Sequence, residues 1–304
     1  MTTPLKTKPT LINNKNLKGI KFAFQVFFLR GLFPFCFYFV HLRNSQVFHR
    51  EGCGVSNLFT LYKKRYSWHN IIKAISVEKT ARKMELYAIK YGETTLPESW
   101  VFEGGDKEKI LPITFTIFLV KSGDRIILVD AGCDDMPGWD MRHFCPPTEV
   151  LARMGIAPED VTDVVQTHSH YDHFAAIGHY KSSRIYVNSA EYTDELRSRI
   201  SDSAEVVLCG DETEIAEGII LRKIGGHSAG SSVVELYVDD KIYVLSGDEC
   251  YSPLCIERKI PTGMRHNPEK AHEFVEKYSD PRYTVLVCHD KSWLPGENGY
   301  QKIL

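Results

Sequence analysis

The sequence contains no Cys-x-x-Cys pair and almost no excess of charge of either sign. Its eight cysteines are scattered along 304 residues. This scatter favours reduced, mostly buried thiols in a cytoplasmic protein over a disulfide framework. Lysine and arginine number 37 against 39 aspartate and glutamate residues. Without a basic excess, we expect no nucleic-acid partner.

One apolar run, residues 22–40, is about long enough to cross a bilayer. Arg30 near its centre would cost about 2.5 to 3.5 kcal/mol on insertion scales, and Gly31 and Pro34 disturb a helix. The run also lacks the small-residue cleavage site of a secretory signal. We therefore expect membrane contact only if residues 22–40 are both translated and inserted.

The chain changes character at Met84. Residues 43–83 show no sustained helical or strand period, whereas Met84 begins a strand pattern and residues 84–304 suffice for one complete domain. We expect two parts, an N-terminal extension of residues 1–83 and a domain of residues 84–304. Translation is expected to start at Met84, after an over-extended reading frame. A membrane tether and a soluble extension are the alternatives.

Paired strands alternate with helices through residues 84–304. The patterns predict hairpins from 115–120 with 125–130 and from 232–238 with 241–245. Further strands are expected at 163–167, 184–187, 205–208 and 284–288, and helices at 148–154, 189–200 and 268–278. This order predicts a layered α/β sandwich.

Three imidazoles and one carboxylate lie within six positions at the end of the strand 163–167. His168 and His170 are two residues apart, so in an extended segment both rings project to the same side and can hold one metal ion. Asp172 and His173 follow where a helix begins and can reach a second ion. Nitrogen and oxygen donors of this kind suit zinc first, with iron, manganese and cobalt as alternatives.

Other donors follow later strands or turns. His227 would complete the first metal site and His289 the second, while Asp248 can bridge the two ions with its two carboxylate oxygens. Two cations about 3.5 to 4 Å apart acidify a water, polarise a carbonyl and stabilise a leaving oxygen, so hydrolysis is the expected chemistry. Cys288 is expected to face away from His289 because neighbours on a strand alternate sides.

The ordered set of these motifs resembles the metallo-β-lactamase superfamily of dinuclear metallohydrolases. The resemblance covers roughly residues 84–304 and implies a four-layer αβ/βα sandwich with a site for two divalent metal ions at one edge of the two sheets. It assigns Asp130, after the strand 125–130, to orienting a metal-bound imidazole through its other ring nitrogen. A role in capping the following turn is the alternative for Asp130.

Within the superfamily, the sequence is most similar to the N-acyl homoserine lactone lactonases. In that group a tyrosine three residues after the bridging aspartate helps to bind the lactone carbonyl, and Tyr251 holds this position after Asp248. The similarity implies a quorum-quenching enzyme that opens the ring of an N-acyl homoserine lactone, with Asp172 passing a proton to the leaving alkoxide. The alternative for Tyr251 is a ring that only lines the sheet edge.

Two other activities stay open. Thioester hydrolysis of the glyoxalase II kind is disfavoured because no basic helical extension follows His289. A sulfur dioxygenase would use a single iron and leave Asp172 and His173 outside its ligand set. The expected partner is a small lactone or ester, the apolar loop 133–147 is a candidate wall for an acyl chain or part of the core, and a homodimer is one arrangement that the sequence allows.

Overall fold

The computed structural model describes residues 38–42, 45–49, 84–293 and 299–304. The chain forms two compact units, residues 1–80 and 81–304. In the first unit, β1 (Tyr38–Leu42) and β2 (Ser45–His49) pair as an antiparallel hairpin. The apolar run 22–40 lies outside the described residues except for its last three, so its membrane role, the start at Met84 and the division at residue 83 stay predictions. No helix within the described ranges is long and apolar enough to span a membrane.

Two mixed sheets form the centre of the second unit. The seven-stranded sheet contains β3 (Glu85–Pro97), β4 (Ile110–Ser122), β5 (Arg125–Val129), β6 (Asp163–Gln166), β7 (Arg184–Asn188), β8 (Glu205–Cys209) and β14 (Tyr300–Lys302), in the order β14-β3-β4-β5-β6-β7-β8. The five-stranded sheet contains β9 (Glu212–Ala216), β10 (Ile219–Lys223), β11 (Ser232–Val238), β12 (Lys241–Leu245) and β13 (Tyr283–Leu286), in the order β13-β12-β11-β10-β9.

The helices of the second unit are short and begin at recognisable signals. Proline occupies the first turn of three of them, and the side chains of Thr193, Ser252 and Asn267 accept hydrogen bonds from backbone N–H groups at helix starts. The helices are α1 (Glu98–Val101), α2 (Pro147–Arg153), α3 (Tyr171–Phe174), α4 (Asp194–Arg199), α5 (Pro253–Arg258) and α6 (Pro268–Tyr278). Single 3₁₀ turns span Pro158–Asp160, Ile177–His179, Ser189–Glu191 and Gly247–Glu249.

Strand direction places several carboxyl ends at one edge of each sheet. Neighbours β5, β6 and β7 are parallel, and so are β12 and β13. β10 and β12 are both antiparallel to β11, so they run the same way as each other. The chain therefore leaves β5 and β6 at one edge of the larger sheet, and β10, β12 and β13 at one edge of the smaller sheet.

The core has the four layers that the sequence predicts. Ile127 and Val129 of β5 pack with Leu221 and Leu236 between the two sheets, whereas Leu128 faces the helices on the other side. This alternation follows from the strand period of two. A third apolar cluster joins the outer face of the five-stranded sheet to α5 and α6. The α/β sandwich is confirmed.

Most predicted elements are present, and several others differ from the prediction or were not predicted. The prediction of one helix over 189–200 is wrong. A 3₁₀ turn and the shorter helix α4 occupy this range, because the backbone of Thr193 is extended and its side chain caps α4. The strand expected at 284–288 ends at Leu286. β9 and β10 were not predicted; they pair through a tight turn in which Gly218 has a φ of 73°, a conformation that glycine adopts readily.

Leu236→Ala should destabilise the fold far more than Leu208→Ala. Leu236 is fully buried between the sheets, whereas Leu208 on β8 is 55% exposed. Emptying a closed core site costs about 2 to 5 kcal/mol, and the same change at an exposed site costs little. Urea unfolding of the full chain measures both values. Similar losses for the two variants would contradict the core described here.

Candidate metal centre

The predicted metal-binding side chains lie in the loops and turns that follow the carboxyl ends of strands. His168 and His170 follow β6, His227 follows β10, and His289 follows β13. A 3₁₀ turn after β12 presents Asp248. The residue before it, Gly247, has a φ of 49°, and a Cβ atom there would lie 2.9 Å from Thr167 Oγ1. Glycine is therefore required where this turn passes the end of β6.

The first cluster consists of His168, His170, His227 and Asp248, and one potential ligand atom from each lies within 4.8 Å of every other. His170 Nδ1 lies 2.9 Å from His227 Nε2. Asp248 Oδ2 lies 3.4 Å from His227 Nε2 and 3.6 Å from His168 Nε2. His168, His227 and Asp248 are buried, whereas His170 is exposed to solvent. The first cluster thus joins the two sheets and opens to solvent on one side.

The second cluster consists of His173, Asp248, Cys288 and His289, again within 4.8 Å of one another. Asp248 Oδ1 lies 3.0 Å from both His173 Nε2 and His289 Nε2. Asp172 lies beside this cluster, with Oδ2 3.4 Å from His173 Nε2 and 3.9 Å from His289 Nε2. Asp248 belongs to both clusters, with one oxygen directed to each.

The expectation that Cys288 faces away from His289 is wrong, because both side chains belong to the second cluster. Its Sγ lies 3.4 Å from Asp248 Oδ1 and 3.3 Å from the carbonyl oxygen of Gly247. The strand that precedes it ends at Leu286, so the alternation of sides no longer applies at Cys288 and His289. The thiol is a potential donor that the sequence patterns did not reveal.

Three of the imidazoles are oriented through Nδ1. His173 donates to Asp130 Oδ2 at 2.8 Å, His227 to the Met264 carbonyl at 2.7 Å, and His289 to the Thr114 carbonyl at 2.8 Å. A carbonyl oxygen can only accept, so Nδ1 of His227 and of His289 carries a proton and Nε2 faces the cluster. Metal-bound histidines in proteins are commonly held in this way.

Asp130 has the contact that an orienting role requires. Besides His173, its carboxylate accepts hydrogen bonds from the backbone N–H of Thr167 at 2.7 Å and from the side chain of Gln166 at 3.0 Å. Its φ of 64° is unusual for a residue other than glycine and directs the side chain toward the end of β6. The carbonyls of Met264 and Thr114 were not predictable, because a backbone acceptor leaves no signal in residue type.

Burial and Asp248 act on the imidazoles in opposite directions. Burial holds the pKa of His168 well below its ordinary value and lowers the pKa of His227. Burial also acts to lower the pKa of His173, but the carboxylates of Asp248, Asp172 and Asp130 together raise it well above the ordinary range. Burial therefore favours the neutral form of His168 and His227, whereas the carboxylates around His173 favour its charged form.

The side chains present fit bound cations. The Nε2 atoms of His168 and His173 are buried and have no hydrogen-bond partner. A buried polar atom without a partner costs about 1 to 3 kcal/mol, and native structures rarely tolerate two side by side. A divalent cation in each cluster would accept these lone pairs and offset the charge of the buried Asp248 carboxylate.

Tyr251 lies directly against both clusters. Its hydroxyl donates to Asp248 Oδ2 at 2.7 Å, and its ring stacks on the ring of His289 with centroids 4.7 Å apart. The side chain is 7% exposed. The predicted proximity of Tyr251 to the metal centre is thus present, with the hydroxyl bound to the carboxylate that the clusters share.

Residues 115–289 match the family model of the metallo-beta-lactamase superfamily. The chain belongs to this superfamily. The matched range includes Asp130, Tyr251 and every member of the two clusters. The resemblance inferred from the motifs is therefore confirmed, and so is the fold that it implied.

Superfamily members with lactonase activity are distant relatives. The chain is 20% identical to the N-acyl homoserine lactonase AiiB of Agrobacterium fabrum strain C58, over 68% of this chain and 94% of the relative. It superposes with a TM-score of 0.59 on an N-acyl homoserine lactone hydrolase that has N-hexanoyl-L-homoserine bound at its catalytic metal centre, at 20% identity over 68% and 93% of the two chains. The dizinc quorum-quenching lactonase AidC gives 0.55 at 14% identity, over 74% and 95%. At these identities the structural likeness establishes the fold.

After a chelator has removed bound metal, added zinc should stabilise the protein against unfolding, and Asp248→Ala should abolish this stabilisation. An ion present at 100 times its dissociation constant adds about 2.7 kcal/mol to the native state. His272→Ala is the matched control, because that imidazole pairs with Glu103 on the surface, outside both clusters. Metal analysis and thermal unfolding measure the two effects. A melting temperature of the wild type that does not respond to zinc would contradict the assignment of these clusters as cation sites.

Proposed function

We propose that this protein is a dinuclear metal-dependent hydrolase that opens the ring of N-acyl homoserine lactones. The observation that carries the proposal is the shared carboxylate of Asp248, which directs one oxygen to each of two imidazole clusters. Distant relatives named as N-acyl homoserine lactonases align with 68% and 58% of this chain and support the substrate class.

The ligands in this proposal are the imidazoles and Asp248 of the two clusters, with Asp172 beside the second cluster taken in place of Cys288. His168, His170 and His227 would hold the first ion, while Asp172, His173 and His289 would hold the second, and Asp248 would bridge the two. Zinc is the preferred ion, and iron, manganese and cobalt suit the same donors. When bound, such a pair of ions activates water and polarises the carbonyl under attack.

The accessibility of Asp172 supports a role in proton transfer. Its carboxylate is 13% exposed, whereas that of Asp248 is only 3% exposed, so a substrate has access to Asp172 from solvent. We assign Asp172 the transfer of a proton from the attacking water to the alkoxide that leaves when the ring opens. Asp248, enclosed by imidazoles, keeps its ligand role.

Tyr251 would bind the carbonyl oxygen. Its O–H donates to Asp248 Oδ2 in the free protein and would donate to the oxygen of the substrate as negative charge develops there. Stacking on His289 holds the ring in place while this exchange occurs.

An aromatic path leads outward from the centre and fits an acyl chain. Phe115 packs edge-on against His289 at 5.5 Å, Trp139 against Phe115 at 6.5 Å, and Trp100 against Trp139 at 6.4 Å. Both tryptophans are 38% exposed, and nearby Met264 is 36% exposed. Exposed apolar side chains that continue from a buried polar site are typical of a substrate channel. We assign them to the acyl chain of the lactone.

Tyr251→Phe should lower kcat on N-hexanoyl homoserine lactone on the order of 100-fold, because one donor to the developing oxyanion is lost. Metal content should be unchanged, since the phenyl ring keeps its stacking on His289. Tyr243→Phe, between the sheets, is the control. Steady-state kinetics with a glutathione thioester and an aryl ester alongside will rank the substrate classes. Wild-type turnover by Tyr251→Phe on the lactone would remove the best support for lactone hydrolysis.

Trp139→Ala should reduce the preference for long acyl chains. Removing the indole exposes several methylenes of a decanoyl chain, each worth about 0.8 kcal/mol when buried, but few of a butanoyl chain. A loss of about 1 to 2 kcal/mol corresponds to a 5- to 30-fold fall in kcat/KM for the decanoyl relative to the butanoyl lactone. Leu208→Ala, an exposed apolar position on β8, should leave the ratio unchanged. Equal effects of Trp139→Ala on the two lactones would place the acyl chain elsewhere.

A further inference from the structure

A buried carboxylate, Glu191, joins the two loops that form the first cluster. It lies in the 3₁₀ turn after β7 and is 3% exposed. Oε2 accepts hydrogen bonds from the backbone N–H of Ser169 at 2.8 Å and from its hydroxyl at 2.7 Å. Oε1 accepts from the hydroxyl of Ser228 and from the backbone N–H of Gly230, both at 2.7 Å.

These four donors adjoin the imidazoles of the first cluster. Ser169 lies between His168 and His170 in a loop of the seven-stranded sheet, and Ser228 follows His227 in a loop of the five-stranded sheet. The geometry of the first cluster depends on how these two loops are placed relative to each other. Glu191 is a third element that binds both of them. The second cluster receives no such contact from Glu191.

We infer that Glu191 is a positioning residue that sets the metal affinity of the first cluster. The inference rests on the proposed metal sites but not on the identity of the substrate. The four groups that donate hydrogen bonds to Glu191 are neutral, so no hydrogen-bonded cation neutralises its charge. Ser169 and Ser228 adjoin histidines of the first cluster in the chain, and a metal ion bound there would offset the charge of Glu191.

A carboxylate is required at this position because both of its oxygens accept. In a glutamine one oxygen becomes an NH₂ group, which would face either the Ser169 N–H or the Gly230 N–H. Neither backbone group can reverse its role, so one loop must move away from Glu191. A backbone bond from Ser232 N–H to the Thr167 carbonyl, at 2.9 Å, still connects the two loops. The fold should therefore survive while the first cluster loses its alignment.

Glu235 offers a matched control. It is 1% exposed and accepts hydrogen bonds from Arg222, Tyr237 and Tyr278. These contacts join β11 to β10 and α6, on the face of the five-stranded sheet that carries α5 and α6. Glu235→Gln disturbs a buried carboxylate of similar hydrogen-bonding load without touching a loop of either cluster.

The test is a zinc titration of the full chain, stripped of metal, against a competing chromophoric chelator. Glu191→Gln should weaken the binding of one of two ions about 10- to 100-fold, as expected for a group that orients ligands, and leave the other unchanged. Glu235→Gln should lower the melting temperature and leave both affinities unchanged. Ser228→Ala, which removes one bond and keeps the charge, should give a smaller loss at the same ion and serves if Glu191→Gln does not fold.

Two results would overturn the inference. One is wild-type affinity for both ions in Glu191→Gln, or in Ser228→Ala if that variant alone folds. The other is an equal loss at both ions that Glu235→Gln reproduces, because a general loss of stability would then explain it. Failure of the proposed function is read separately, from wild-type protein that binds two ions and hydrolyses no lactone.

Discussion

Four imidazole nitrogens surround one buried carboxylate, and this arrangement is stable only with positive charge between them. Asp248 lies 3.0 to 3.6 Å from Nε2 of His168, His173, His227 and His289. Since Nδ1 of His227 and His289 donates to a carbonyl, each Nε2 either opposes the carboxylate with a lone pair or binds a second proton. Several buried imidazolium ions would repel one another and lose hydration at a cost of several kcal/mol each. Two divalent ions would accept the same lone pairs, and the Asp248 carboxylate between them would offset their mutual repulsion.

Strand direction explains why the imidazoles and the carboxylate of Asp248 converge at one site. Parallel pairing of β5 with β6, and of β12 with β13, sends the chain out at the same edge of each sheet. The apolar layer between the sheets then holds these two edges side by side. Each cluster takes donors from both sheets, because Asp248 follows β12 while His168 and His173 follow β6. The site therefore depends on the packing of the two sheets, which no single segment determines.

Much of the candidate site could be predicted from the sequence. The residues that could not be predicted depend on contacts between distant segments of the chain. The donors at strand ends follow from motifs whose residue types carry the chemistry, whereas the positions of Asp130 beside His173 and of Tyr251 near the centre follow from the family resemblance. Cys288 was misplaced because the strand before it ends two residues earlier than its apolar pattern suggests. The role of Glu191 could not be predicted for a different reason. A single glutamate within a predicted helix does not indicate that its partners lie in two distant loops.

Contacts with two buried carboxylates explain why the loop around His227 contains glycines. Glu249 accepts hydrogen bonds from the backbone N–H groups of Gly226 and His227, at 3.1 and 3.3 Å, and a Cβ atom on Gly226 would collide with its carboxylate. On the other side, a Cβ atom on Gly230 would lie 2.9 Å from Glu191 Cγ. Two buried carboxylates thus hold the loop from both ends, and glycine is the residue that lets each approach. These contacts fix the backbone on both sides of His227 and so direct its imidazole to the first cluster.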